Sequence, residues 1–415
     1  MATGSALYEP VAVPPALDDL ELDLTVPGQF VRDDWFDVLA RLRSEAPAFR
    51  CVDGSWAISR YDDIRSISRD PERFVSGRGV LINDPMRSDG SLGANTFSIL
   101  HLDPPLHALY RKLINREFTP RAASGFEDRI RTTVRSVLDR VAPGERIEAV
   151  DAIAAPIPLQ VIADLFGVGG ADLDLFRRWS DSIIAASDLP DDERVEQRMA
   201  LETNEMVAFL VDHIASPVAD ANDVLGLLKR ADLDGRPLDA SEIMGFCMTL
   251  LVAGNETTRS LISGGMEVLA QHPDQRAELA ADLSLVPQAV EEMLRWVTPI
   301  QAFGRTAVVD VEIAGQPVAN GDFVVLLYAS GNRDEAAFGP TADRFDIHRD
   351  LTPTHVAFGF GEHLCLGASL ARLEARIVFE ELLSRFPAWD VDGPTARSRS
   401  TLTSALTSLP LVLHR

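Results

Sequence analysis

Residues 358–367, FGFGEHLCLG, set one cysteine in a glycine-rich loop at the start of an amphipathic stretch. A thiolate is a soft metal ligand, and it needs electropositive surroundings to stay deprotonated; the unpaired N–H groups of a helix N-terminus supply them. Phe358, Gly359, Gly361 and Gly367 frame the sulfur, and the glycines let the backbone approach it and a metal on it. Cys365 is therefore a candidate metal ligand. The plainer alternative is a small buried hydrophobe, the fate of most intracellular cysteines.

A second chemical stretch, AGNETT at 253–258, interrupts an apolar run. A mid-helix glycine costs about 1 kcal/mol against alanine, and a buried unpaired carboxylate costs more, so something local must compensate. Ala253, Gly254 and Thr257 share one helical face by their spacing, giving a small-residue notch beside a hydroxyl. The alternative is that Thr257 bonds back to the carbonyl of Ala253 and merely bends the helix. Asp239 with Glu242 forms a capping pair and Pro273 closes the segment, so the helix runs for up to 32 residues, roughly 48 Å. Glu292 and Arg295 form an i, i+3 pair, which in isolation is a solvated helix face.

The surrounding elements read as mainly α with minor β. Helical spacing covers 35–42, 61–68, 106–117, 122–141, 157–167, 171–187, 192–215 and 241–272, while 55–59 alternates as a strand. Residues 308–326 read as a hairpin around Gly315, followed by Phe323 to Leu327. Residues 1–28, rich in proline, read as a flexible arm, and 29–415 as a single domain. The long segment 77–100 is expected to be a substrate-contacting loop.

With 46% apolar residues, the 415-residue chain can bury a large core. A net charge of −24 argues against nucleic acid or an anionic membrane surface as partner. Three scattered cysteines, no apolar run of membrane-spanning length and no signal-like start lead to the expectation of a soluble, cytoplasmic monomer without a membrane anchor.

The 358–367 loop, the 253–258 stretch and their order in the chain resemble the cytochrome P-450 superfamily, in its soluble bacterial form. The resemblance implies the family fold, with haem b sandwiched between the long central helix and the cysteine loop, and Cys365 as proximal iron ligand. It implies that Glu256 belongs to a proton-delivery route and Thr257 to the handling of dioxygen and its water. His107, Arg111, Arg305 and His363 would meet the haem propionates, with His101 less certain, and Glu292, Arg295 and Arg344 would fix the fold behind the haem. Substrate contacts are expected from Val80, Leu81, Ile82, Phe97, Ile300, Phe303 and Leu406, with Arg78 or Arg87 as a possible carboxylate site.

The implied activity is insertion of one oxygen atom into a lipophilic small molecule of terpenoid or steroid type. No flavin or dinucleotide domain is recognisable, so electrons from NAD(P)H would arrive through a separate ferredoxin and its reductase, docking near Lys112, Arg116, Arg372 and Arg376. Two alternatives stand beside it: a peroxide-driven peroxygenase, and a non-catalytic haem-thiolate carrier or sensor.

Overall fold

The computed structural model describes residues 20–88, 97–167, 173–188, 193–215 and 223–415. Its axis is the helix Ala240–Gln271, which starts and stops where the punctuation predicts. Asp239 accepts from the N–H of Glu242 at 2.9 Å, and Glu242 returns the bond to the N–H of Asp239 at 2.7 Å, closing a capping box. The Glu242 carboxylate also takes both Arg236 Nη groups, at 2.8 and 2.6 Å, and the Tyr110 hydroxyl. Farther along, Met266 lends its carbonyl to Trp389 Nε1 at 2.9 Å. The helices Pro156–Leu165, Val286–Val297 and Ala368–Arg385 pack around this axis in the largest apolar core.

A five-stranded sheet lies to one side. Its strands are β1 (Ala48–Arg50), β2 (Trp56–Ile58), β3 (Phe74–Val75), β4 (Ala302–Ala307) and β5 (Phe323–Leu327), in spatial order β1-β2-β5-β4-β3. β5 runs parallel to β2 and antiparallel to β4. The hairpin expected over 308–326 is confined to Val311–Ile313 and Gln316–Val318, turning through Ala314 and Gly315, both at positive φ. Its expected continuation, β5, is instead a central strand of the larger sheet, buried at every position.

Two further expectations change in detail. The helix over 122–141 is divided near Gly125 into Pro120–Ser124 and Glu127–Leu138. Of the expected arm, residues 1–19 lie outside the described residues, whereas Leu22 and Leu24 are fully buried beside Trp35, Leu39 and Val325. Apolar burial anchors that stretch.

Candidate active site

The cysteine loop is shaped by what it is pressed against. Gly361 has φ +73°, and a β-carbon there would run into the carbonyl oxygen of Ser68, so only glycine fits at this crossing. Next to it, the Phe360 ring is covered by the guanidinium groups of Arg65 and Arg69, 4.3 and 4.4 Å from its centroid. The N–H of Cys365 donates to the carbonyl of Phe358 at 2.9 Å, which closes the loop. Gly367 caps the helix Ala368–Arg385. Desolvation raises the Cys365 thiol on balance, against the N–H groups of Gly367 and Ala368 and the charges of Arg111 and Arg372, which pull it down. Cys51 and Cys247 are buried, with thiols pushed up to about 12, whereas Cys365 presents an exposed sulfur-bearing side chain.

Beside the loop stands a group of cations and donors brought from three elements. The helix Leu106–Ile114 supplies His107 and Arg111, β4 supplies Arg305, and the loop supplies His363. The His107 and His363 rings lie 4.0 Å apart. Arg111 donates to the carbonyl of Glu362 at 3.0 Å and to that of Leu364. Arg305 is 7% exposed, donates to the carbonyl of Gly304 at 2.7 Å, and pairs with no carboxylate among the described residues. Burial, then Arg111 and Arg305, depress His107 to about 4; burial, then Arg305, His107 and Arg111, depress His363 to about 2. A buried guanidinium without an acid beside it needs an anion. Glu362 completes a possible metal-ligand cluster with the two histidines, but the Arg111 and Arg305 charges oppose a cation there. The donor set, one thiolate candidate at a helix N-terminus and a cationic group for two carboxylates, fits haem b.

On the central helix, Ala253 is exposed and Thr257 partly so, although the turn that follows, from Thr258 to Leu261, is buried. The Thr257 hydroxyl donates to the Ala253 carbonyl at 2.7 Å, so the back-bond weighed from the sequence is present. A β-carbon at 254 would collide with Ile162 Cδ1, so this glycine admits the neighbouring helix Pro156–Leu165. Glu256 is buried, with Oε2 3.5 Å from Arg259 Nε. Arg259 and Asn255 in turn line a cleft of about 400 Å³ that opens between Arg140, Pro156 and Gln160.

The residues behind the site require one correction. Glu292 and Arg295 are both fully buried and joined by two bonds of 2.7 Å. The third member is Arg349, whose Nε lies 3.2 Å from Glu292 Oε1. The Arg344 side chain is exposed, and only its backbone carbonyl takes part, accepting from Arg295 and Arg349 at 2.8 and 2.9 Å.

Among the expected substrate contacts, Leu406 is 1% exposed within the main core and Ile82 is buried in the cluster of Leu22 and Phe323. Val80 is buried too, its carbonyl accepting from the N–H of Gly304 at 2.7 Å. Leu81, Phe97, Ile300 and Phe303 keep partly open surface. Arg78 is exposed, whereas Arg87 is occupied, stacked 3.9 Å over Phe323 and donating to the Ile82 carbonyl. Residues 89–96 of the expected loop lie outside the described residues. Sequence reasoning missed Val252, an exposed apolar side chain on the central helix, 37% open. Its place immediately before Ala253 was the available signal.

The fold and this cysteine-bearing site define a haem-thiolate monooxygenase, and comparison with known proteins agrees. The family profile for cytochrome P-450 matches residues 192–410. The chain is 35% identical to linalool 8-monooxygenase of Pseudomonas putida, over 94% of this chain and 98% of that protein. It is 38% identical to the cytochrome P-450 monooxygenase PikC of Streptomyces venezuelae, over 95% and 94%. A Mycobacterium marinum cytochrome P-450 solved in complex with pseudoionone superposes with a TM-score of 0.86 at 32% identity, covering 97% of this chain and all of that one. The chain belongs to the cytochrome P-450 family, and its cofactor is haem b. No described helix is long and apolar enough to cross a membrane.

Proposed function

We propose that this monooxygenase hydroxylates or epoxidises a lipophilic small molecule of terpenoid or steroid type. The carrying observation is the apolar character of the side chains left partly open near the central helix and β4: Leu81, Phe97, Val252, Ile300 and Phe303. The linalool enzyme and the pseudoionone complex among its relatives support the same substrate class.

In this reading Cys365 would hold the haem iron, and Arg305, His107, His363 and Arg111 would meet the propionates. The haem, when bound, supplies the dioxygen chemistry. Thr257 would offer its hydroxyl to the handling of protons. Glu256 relays protons, with Arg259 linking it to the solvent cleft at Asn255. The protein works as a cytoplasmic monomer and draws electrons from a ferredoxin reduced by an NAD(P)H-dependent reductase. The acidic carrier docks on Lys112 and Arg116, which are exposed. Arg372 and Arg376 are occupied, the first by Glu291 at 2.6 Å and the second by Glu127 and Glu380 at 2.9 and 3.0 Å.

The test is the reduced carbonyl spectrum, followed by titration of the ferric protein with linalool, pseudoionone, testosterone and a fatty acid. A thiolate-type Soret band with a low-spin to high-spin change on one of the first three supports the reading. A response to fatty acid alone would move the substrate class, and no response to any would remove it.

A further inference from the structure

The described limbs of the 77–100 segment are held at two points. At the first, the Asp84 carboxylate has no solvent exposure and collects four donors. These are the N–H groups of Val80, Leu81 and Met86, at 2.8, 3.0 and 3.0 Å, and His101 Nε2 at 2.8 Å. Burial would raise this carboxyl, but the bonds from His101, Val80 and Leu81 hold it well below the usual carboxylate range, so it is an anion throughout the working pH range. His101 stands on the returning limb, in the short turn Ile99–His101, so the pair ties one limb to the other. Asp103 repeats the device at the start of the segment, accepting from the N–H groups of Ser76 and Gly77 at 2.7 and 2.9 Å.

At the second point, Phe97 sits directly on the central helix. A β-carbon at Gly245 would collide with the Phe97 carbonyl oxygen and lie 2.7 Å from its Cδ1. The Phe97 ring packs at a tilt against Tyr110 and Phe246, with centroids 4.8 and 5.5 Å away. Gly245 precedes Ala253 by about two turns, roughly 12 Å along the axis. The Val80 carbonyl is bonded to Gly304, the residue before Arg305. The two described limbs therefore touch β4 beside Arg305 and the central helix two turns before Ala253.

We propose that Asp84 and Gly245 are positioning residues that fix Leu81 and Phe97 as a rigid wall of the substrate pocket, and so set the size of ligand it admits. A buried anion with four donors does not rearrange at low cost, and a β-carbon-free seat on a helix admits one depth of approach. The wall is thus preformed. The inference rests on the proposed location of the pocket but not on the identity of the substrate.

The experiment compares imidazole, which needs only the iron, with 4-phenylimidazole, which must also fit beneath the wall, by Soret titration of the haem-loaded protein. Wild type is set beside Asp84→Asn, His101→Gln, their double variant and Gly245→Ala. The expected result is about tenfold weaker binding of 4-phenylimidazole in Asp84→Asn and Gly245→Ala, with imidazole unchanged within about twofold. His101→Gln should weaken it less, and should add little to Asp84→Asn, because both act through one bond. Amide exchange at Val80, Leu81 and Met86 should quicken in Asp84→Asn. Equal shifts for both azoles, or none for either, in variants that keep the thiolate-type carbonyl band would overturn the proposal. If Gly245→Ala does not fold, the two side-chain variants decide it alone. A wild type that ignores linalool, pseudoionone and testosterone would remove the substrate reading while leaving the azole ratio as a valid test.

Discussion

Arg349 Nε meets Glu292 Oε1 at 3.2 Å, and the same oxygen accepts from the N–H of Asp346 at 3.0 Å. Arg295 grips both oxygens of Glu292 and also donates to the carbonyls of Asn332 and Ala342, each at 2.7 Å. One carboxylate thus holds two buried guanidinium groups, which spread their remaining protons over the 332–349 coil. Removing one charge strands the others in a dry setting. Arg349→Ala should lose on the order of 3 kcal/mol in urea unfolding, with poor haem retention. Arg344→Ala should stay within about 0.5 kcal/mol of wild type, because only its backbone is used. Similar losses in both would mean that the array does not carry the coil.

The capping box and Pro273 made the central helix readable, since both are local signals acting within one turn. The cysteine loop was readable for the same reason: its glycines and its sulfur lie within ten residues. Arg349 was not. It reaches Glu292 across irregular coil, where no periodicity fixes which of two nearby arginines turns inward. The pairing of β5 with β2 was equally hidden, because nothing in Phe323–Leu327 names a partner near residue 57. Gly254 carries a further contact that no pattern could show. Its spacing put it near Ala253 and Thr257, but a neighbouring helix, absent from any one-dimensional pattern, claims its open side.

Acid should reach the start of the central helix through Glu242. Bonds from Arg236, then Tyr110 and the N–H of Asp239, hold its carboxyl at about 2 against an ordinary 4.5, with burial opposing them. A folded value below the unfolded one gives stability that is complete above about pH 4.5 and is lost as pH falls through 2. Arg236 is half exposed, so the full shift is discounted to about 1–2 kcal/mol. Glu242→Gln should therefore be less stable than wild type at pH 7, and the gap in urea midpoint should narrow between pH 5 and pH 3. A gap that is constant over that range would exclude the linkage.

Thr257 can be tested for function apart from fold. Its hydroxyl makes one partly exposed bond to Ala253, so Thr257→Ala should cost no more than about 1 kcal/mol and leave the carbonyl spectrum intact. If the hydroxyl serves proton handling, NADH consumption should continue while the electrons are diverted from product to hydrogen peroxide. Thr257→Ser, which keeps the hydroxyl, should restore much of the coupling. A Thr257→Ala protein that is fully coupled would reduce Thr257 to a helix-bending residue.

Electron entry separates two kinds of arginine. Lys112 is exposed, and Arg116 is 92% exposed with only a 3.8 Å approach to Glu117, so both can attract an acidic carrier. Arg372 and Arg376 spend their charge inside the protein, on Glu291 and on Glu127 with Glu380. Reversing Lys112 and Arg116 together to Glu should slow first-electron transfer from a ferredoxin about tenfold at low ionic strength, and the difference should shrink above about 0.3 M salt as screening shortens its reach. Ligand affinity should not change. Arg376→Glu would set three carboxylates together, so it should lower stability first and affect reduction only through the damaged fold. Stopped-flow reduction beside thermal unfolding separates the two outcomes. Unchanged reduction in the Lys112 and Arg116 double variant at low salt would move the docking face elsewhere.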